Sequence, residues 1–550
     1  MAYEIVQELC SGCHRCRVEC PQQAIRFKNS KYWIEPDKCI SCGKCAKVCH
    51  NDCIHDPDKK EEISPHELIK KDCDILVIGG GASGMMAAAR ASSLGKKVLV
   101  IEKNKEIGGC AWYAHVLRVH WSKWHEEAGM TDPRDDVYRE FMKQTKGQVN
   151  GKLVRNILDA DTEFVNWLID EHDLGKDWKF GPLNFGGHGL ICDYDWEYNH
   201  RRIDTTIGPG GTGWWMVNKC LSILKDNGGE ILYYTAADKL IADEDGHITK
   251  VIAHDKGGDL EITCKALIMA AGTFSRNMEL HKKFQPLIEG GPDDEPVHLF
   301  ACATCTGDGI TMCEDIGADI DYVNARAGMF GPMRHPFGTA SIAAACNWYG
   351  TKVQKTGEAF IDPGPAVTSP LVDVPGRICY HIIDDEGVQM AVNDMMGRNP
   401  DVVGIDMDAI LRNWRQELDT EISWGTMYKA NTLEELASQI GADADKLKAA
   451  VDSYNNDPKT KKKIEKGPFY AVFMKIFQEN GIGGIVVDEN MHVIRGGRSV
   501  DNLFATGDNT RGEMVPGEVG NMYIEGTISA LTFALCSGYI AGKNAAGMLG

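Results

Sequence analysis

The chain has 550 residues, 43% hydrophobic and 25% charged, the composition of a soluble globular protein with room for two to four domains. A net charge of −20 argues against nucleic acid as the main partner. No run of about 18 apolar residues is present to span a membrane, and MAYEIVQELC lacks the positive-then-apolar pattern of a secretory leader.

The first element is a repeat. Cys10-x2-Cys13-x2-Cys16-x3-Cys20-Pro21 is followed by Cys39-x2-Cys42-x2-Cys45-x3-Cys49, the same spacing twice. This tandem is the bacterial ferredoxin pattern for two 4Fe–4S clusters, in which the fourth Cys of each run ligates the other cluster. The expectation is a small α+β dicluster domain over 1–56. Cys10, Cys13, Cys16 and Cys49 hold one cluster, and Cys39, Cys42, Cys45 and Cys20 the second. Structural zinc, the alternative, favours separated C-x2-C pairs. The second run ends in His50 rather than Pro, and the spare thiol Cys53 competes with Cys49 for the last ligand position. The remaining cysteines are scattered, which suits a reducing cytoplasm. Residues 1–60 carry ten Lys and Arg against eight Asp and Glu, so this module is +2 and the remainder −22. A basic skin of this kind suits an acidic redox carrier such as a free ferredoxin; an ordinary solvated surface is the plain alternative.

A charged, Pro-punctuated stretch, 57–71, reads as a linker. The apolar run Ile75-Leu-Val-Ile78 then reads as a buried parallel strand. It enters Gly79-Gly80-Gly81-Ala82-Ser83-Gly84, a helix from Met85 to Leu94, a strand from Val98 to Ile101, and Glu102. Strand, G-x-G-x-x-G, helix, strand and acid form a dinucleotide fingerprint. Gly79, Gly81 and Gly84, with Ala82 and Ser83, let backbone approach a pyrophosphate, and Glu102 accepts from a ribose hydroxyl. A second run with this spacing, Gly208 to Gly213, has no evident strand before it and reads as a loop. With one nucleotide site, no bay for NAD(P)H is evident. Eight of the twelve tryptophans lie between Trp112 and Trp215, as core or as a pocket for a flat substrate. His115, His120 and His125 recur at a spacing that is not one helix face. Cys302 and Cys305 form a lone C-x2-C, read as buried thiols with a redox disulfide as the alternative.

The far end decides the nucleotide. Leu503 to Asp508 reads as strand to acid, and Gly526 to Ala546 as a helix of small residues. With these pieces stand Glu102-Lys103 before Gly108-Gly109, Ala266 to Gly272, and Thr306-Gly-Asp-Gly309. Further on come Thr432 to Ala437, Tyr454-Asn455 and Pro468-Phe469-Tyr470. From about Asp72 onward the chain resembles the flavoprotein family of fumarate reductase, succinate dehydrogenase and 3-ketosteroid dehydrogenase. The resemblance implies an α/β, Rossmann-like FAD-binding domain in two segments, 72–336 and 478–550, with a mobile α+β capping domain at 337–477. It adds Lys103, Gly108, Gly109, Gly272, Gly507, Asp508 and Gly526 to the FAD-binding residues. Lys103 itself is expected to be solvated.

What is missing narrows the substrate. His335, in Arg334-His335-Pro336-Phe337-Gly338, resembles a kept family histidine. Ala359 in Gly357-Glu358-Ala359-Phe360 stands where the family has an arginine. Asn480 to Gly484 has lost a histidine, and Gly517 to Asn521 an arginine. A buried carboxylate that loses its partner costs roughly 3–5 kcal/mol, so fumarate or succinate is expected to bind roughly hundreds-fold more weakly. The expected activity is reduction, or reverse desaturation, of an activated C=C bond in an apolar or aromatic enone or enoate. Two 4Fe–4S clusters pass electrons to FAD, and Arg334, His335 and Tyr523 polarise or protonate. Cluster potentials span about −700 to +450 mV, so direction is not set. The alternative is an electron-transfer flavoprotein subunit of a larger redox complex; a homo-oligomer fits either reading.

Overall fold

The structure is a computed structural model that describes residues 2–28, 31–59, 63–114, 117, 119–127, 129, 131–145, 147, 149–174, 179–182, 201–204, 211–284, 290–291, 294, 297–299, 301–321, 329–332, 342–346, 349–360, 371, 374–396, 407–478, 483–511 and 530–550. Ile75, Leu76 and Val77 are wholly buried on the middle strand, Ile69–Ile78, of a parallel set. Its order is Glu230–Leu232, Val98–Ile101, Ile69–Ile78, Asp259–Met269 and Arg498–Ala505. Antiparallel Ile248–His254 and Ala236–Ala242 extend the first half of Asp259–Met269, and His492–Arg495 pairs with Arg498–Ala505. The central strand begins at Ile69, inside the stretch read as a linker, because Ile69 to Asp72 pair with Leu260 to Thr263.

Helix Ala82–Ser93 starts three residues before the expected Met85, with Gly81 at its N-cap and the end of the glycine run as its first turn. It crosses Ala530–Met548, the observed part of the C-terminal helix. Small residues are required at this crossing. A Cβ on Gly538 would stand 2.2 Å from Ser83 O, and one on Gly542 2.4 Å from Ala87 O. The second glycine run does not remain a loop. Gly211 opens helix Gly211–Asp226, and Gly213 packs on the carbonyls of Ala111 and Ala114. A strand does precede it, Arg201–Asp204, but it pairs antiparallel with Lys179–Pro182 rather than entering a βαβ unit.

A second sheet is built around Phe469–Gln478, which pairs with Ile378–Asp384, Met427–Ala430, Met329–Pro332 and His298–Leu299. The last two strands precede residue 337. Thr432 and Asp443 accept backbone N–H bonds at the starts of helices Leu433–Ile440 and Ala444–Asn456, the usual way to satisfy orphan donors there. The sheet separates two apolar clusters, one around Tyr470 and Val472 and one around Ala471 and Leu436. The N-terminal module is α+β. Helices Arg15–Glu19 and Lys44–Val48 lie beside hairpin Ile25–Lys28/Lys31–Ile34 and the pair Glu4–Ile5/Ile54–His55. Among the described residues no helix is long and apolar enough to cross a membrane.

Candidate functional site

The parallel strands deliver a glycine cradle at their C-terminal ends. Gly79, at φ 107°, brings its backbone so near Ala270 O that a Cβ would stand 2.3 Å away, and a Cβ on Gly84 would stand 2.0 Å from Gly79 O. Gly81 and Gly272 instead face open space, leaving room for a ligand against bare backbone. Glu102 is buried and receives Gly80 N–H at 2.7 Å and Asn104 N–H at 2.7 Å. Burial pushes its carboxyl up, and those two N–H groups oppose the shift. Each oxygen keeps a further lone pair for a ribose hydroxyl.

The C-terminal segment closes the cradle. Gly507 N–H reaches Ser537 Oγ at 3.0 Å, and Asn509 Oδ1 accepts from Ala271 N–H at 3.0 Å. Among the described residues, Thr506 Oγ1 and Asn509 Nδ2 are buried without a protein partner, as suits a polar cofactor. Burial alone pushes Asp508 up to about 6. Lys103 is not simply solvated. Its ammonium donates to Thr306 Oγ1 and Asp308 Oδ2, each at 2.6 Å, and ties the loop after Glu102 to the Thr306–Gly309 segment. Gly108 and Gly109 enter through a bridge from Gly108 to Gly81. The donor set, the open glycines and the two orphaned polar atoms fit FAD.

The two cysteine runs repeat in backbone as well as in spacing. His14 and Gly43, at φ 72° and 71°, precede the two short helices, and Cys20 and Cys49 end them at φ/ψ −79°/109° and −76°/106°. Ala24 N–H donates to Cys20 Sγ at 3.3 Å, and Cys53 N–H to Cys49 Sγ at 3.4 Å. Cys49 is therefore the geometric equivalent of Cys20. Cys53 Sγ lies 3.3 Å from Cys49 Sγ and is buried. Burial pushes Cys13 up to about 12, and the charges that add to it are Cys49 and Cys10. Cys45 is pushed up to about 11 by burial, with Cys20 and Cys39 adding to it. Cys20, Cys39, Cys42 and Cys45 also line one cleft, with Ile25 and Ile34 on its walls. Four thiols around one apolar cavity fit a 4Fe–4S cluster.

The module docks on the cradle through residues that sequence reasoning missed. Asn104 Nδ2 donates to His50 O at 3.0 Å, Lys105 meets Asp52 at 3.3 Å, and His50 Nδ1 meets Glu106 Oε1 at 3.0 Å. Ala303 N–H donates to Asn51 Oδ1 at 3.0 Å. The His50 ring packs 4.7 Å from Trp112, which stacks on Trp214 at 4.1 Å, and Arg15 lies over Trp112. Burial works against a charged His50, but Cys302 and Glu106 outweigh it and raise the imidazole. The available signal was His50 itself, where the first run has Pro. On another side Arg17, between Cys16 and Cys20, meets Glu417 at 2.7 Å and lies over Trp424.

The other expectations scatter. His120 pairs with Asp161 at 2.8 Å in the core, and His125 with Ser122 at 2.8 Å. Trp167 is core beneath Arg90. Cys305 faces Cys110, not Cys302. Ala359 bridges Val353, while Glu358 pairs with Lys446. Arg334, His335, Tyr523, Gly526, His115, Asn480 and 517–521 lie outside the described residues.

Fold and cradle define a dinucleotide-binding flavoprotein domain fused to an iron–sulfur module. The FAD binding domain family matches residues 74–520, and the chain belongs to that family; a 4Fe-4S dicluster domain matches residues 9–54. The NADH:fumarate oxidoreductase of Klebsiella pneumoniae (strain 342) is 22% identical over 87% of this chain, which spans only 48% of that relative. The urocanate reductase of Eggerthella lenta is 23% identical over 89% of this chain and 77% of its own length. The open conformation of a flavocytochrome c3 fumarate reductase shares the fold, at a TM-score of 0.63 and 21% identity, covering 87% of this chain and 78% of that one.

Proposed function

We propose that the chain is an oxidoreductase that reduces, or in reverse forms, an activated C=C bond in an apolar or aromatic enone or enoate other than fumarate. The thiols of Cys20, Cys39, Cys42 and Cys45 would hold the cluster at the electron inlet, and those of Cys10, Cys13, Cys16 and Cys49 the cluster nearer the nucleotide cradle. Bound FAD supplies hydride chemistry, and the two clusters supply one-electron steps. The observation that carries this reading is one short loop. Its first residue, Glu102, lies in the cradle, and its last, Glu106, holds the histidine next to Cys49. Gly79, Gly81, Ala82, Ser83, Gly84, Gly108, Gly109, Gly272, Gly507, Asp508 and Gly526 receive the dinucleotide, and Lys103 fixes the loop. Arg334, His335 and Tyr523 polarise the substrate or deliver its proton.

The order of entry follows exposure. Cys42 and Ile40 open to solvent, whereas Cys10 lies behind Arg276, whose guanidinium reaches Cys10 O at 3.5 Å. An acidic carrier protein is the expected donor. The test is to reduce anaerobic holoprotein with dithionite and add enones, aryl acrylates, urocanate and fumarate in turn. Flavin absorbance is expected to return with an enone or enoate and no partner protein, and slowly with fumarate. Silence across the panel, with reoxidation only by a partner protein, would overturn the enzyme reading in favour of an electron-relay subunit. Fast turnover of fumarate would overturn the substrate class.

A further inference from the structure

Three cysteines outside both ligand sets converge between the iron module and the cradle. Cys110 follows Gly109 in the turn Gly109–Tyr113, and Cys302 and Cys305 precede the Thr306–Asp308 segment that holds Lys103. Cys302 and Cys305 are buried, with Cys110 packed against them. The close approach is not within the C-x2-C. Cys110 Sγ lies 3.3 Å from Cys305 Sγ. Cys302 Sγ instead faces His50 Nε2 at 3.6 Å and Thr304 Oγ1 at 3.1 Å. Among the described residues, these sulfurs do not form a set of three ligand atoms mutually close enough for one metal ion. Two sulfurs in contact, with a third committed elsewhere, make a dithiol pair.

The geometry points to a reversible dithiol–disulfide couple between Cys110 and Cys305. A disulfide bond is about 2.05 Å long, so the two sulfurs close by about 1.2 Å from their 3.3 Å separation, a movement side-chain rotation supplies. Oxidation forms one S–S bond, removes two electrons and releases two protons to water through the half-exposed Cys110. Reduction breaks that bond, takes two protons back and consumes two electrons, delivered singly by the reduced iron–sulfur module. A diazenedicarboxamide such as diamide serves as the two-electron oxidant in vitro. The bond would join the two loops that flank the cradle, one carrying Gly108 and Gly109 and the other Thr306, so the couple is placed to sense the electron state of the module.

The test does not depend on any substrate. Anaerobic holoprotein is oxidised with diamide, quenched in acid with N-ethylmaleimide, and digested without reductant. A peptide pair linked through Cys110 and Cys305 is expected by mass spectrometry, replaced by two alkylated peptides when dithionite precedes the quench. In a dithionite titration, oxidised wild type is expected to consume about two more electrons per chain than Cys305→Ser, as for any two-electron couple. Retained flavin and cluster absorbance report that the variant is folded. Absence of the linked peptide, a Cys302–Cys305 link in its place, or equal electron counts would overturn the couple. Loss of bound iron or zinc on Cys305→Ser, read by elemental analysis, would overturn it in favour of a metal site.

Discussion

The two cysteine runs have one spacing and one backbone but opposite surroundings. Around Cys42 the chain leaves a cleft at the surface, with Ile40 60% exposed. Around Cys10, Cys13 and Cys16 it builds walls: Arg276 on Cys10 O, Trp112 under Arg15, and Glu417 on Arg17. The Cys49 end of the outer run nevertheless lies on the inner side, beside His50, whose ring meets Glu106 and whose carbonyl accepts from Asn104. The two runs thus share local spacing and backbone, while packing decides which one is left open and which is walled in.

The comparison breaks most sharply at Cys49. Cys49→Ser is expected to lose one cluster, lowering bound iron from about eight to about four atoms per chain. Cys53→Ser is expected to keep both, because Cys49 and not Cys53 occupies the position equivalent to Cys20. Iron analysis with electron paramagnetic resonance reads this directly. The reverse result would move the ligand to Cys53.

Charge on the outer side comes next. Lys44 is exposed at the mouth of the cleft. Lys44→Glu is expected to slow reduction by an acidic ferredoxin roughly tenfold at low salt, through loss of electrostatic steering. Reduction by dithionite is expected to be unchanged. Equal slowing with both reductants, followed by stopped-flow, would place the entry elsewhere.

His50→Pro gives the second run the residue that follows the first. Both clusters are expected to remain, but the bond to Glu106 and the packing on Trp112 go. A charge-assisted hydrogen bond is worth about 1.5–3 kcal/mol, so thermal stability and the rate of flavin reduction from the clusters should both fall. On the other flank, Arg17→Ala is expected to cost about 1–2 kcal/mol, since side chains 15% and 11% exposed are partly screened. A double-mutant cycle with Glu417→Gln isolates that pair.

Much of this contrast was legible before the fold was known, and the limit lies where contacts become non-local. The repeated backbone of the two cysteine runs and the strand–helix–strand order around Gly79, Gly81, Gly84 and Glu102 were legible, because each depends on chain neighbours. The start of the central strand at Ile69 was not legible, since its partners lie at Leu260 to Thr263. The approach of Cys305 to Cys110 was hidden in the same way: the C-x2-C read as buried thiols, with a local disulfide as the alternative, whereas the sulfur in contact with Cys305 is 195 residues away. Lys103 read as solvated because Thr306 and Asp308 are equally remote. The histidine at position 50 was noticed as a departure, but its purpose appears only with Glu106 and Trp112 beside it.

Surroundings rather than residue type also separate two carboxylates of the cradle, and here the expected effect is smallest. Burial raises Glu102 against the opposing pull of two backbone N–H groups, whereas burial raises Asp508 to about 6 with none opposing it. A folded value above the unfolded value of 3.8 means that the native state binds the extra proton between about pH 4 and pH 6. Stability from this group is therefore greatest below that window, declines as pH rises through it, and is constant above. Asp508→Asn removes the titration. Relative to wild type, the variant should gain stability in flavin-free protein as pH rises from 5 to 7 and gain no more from 7 to 8, measured as the urea midpoint. A wild-type advantage that grew with pH would mean that Asp508 meets a cation in the folded chain and that burial alone does not set its environment.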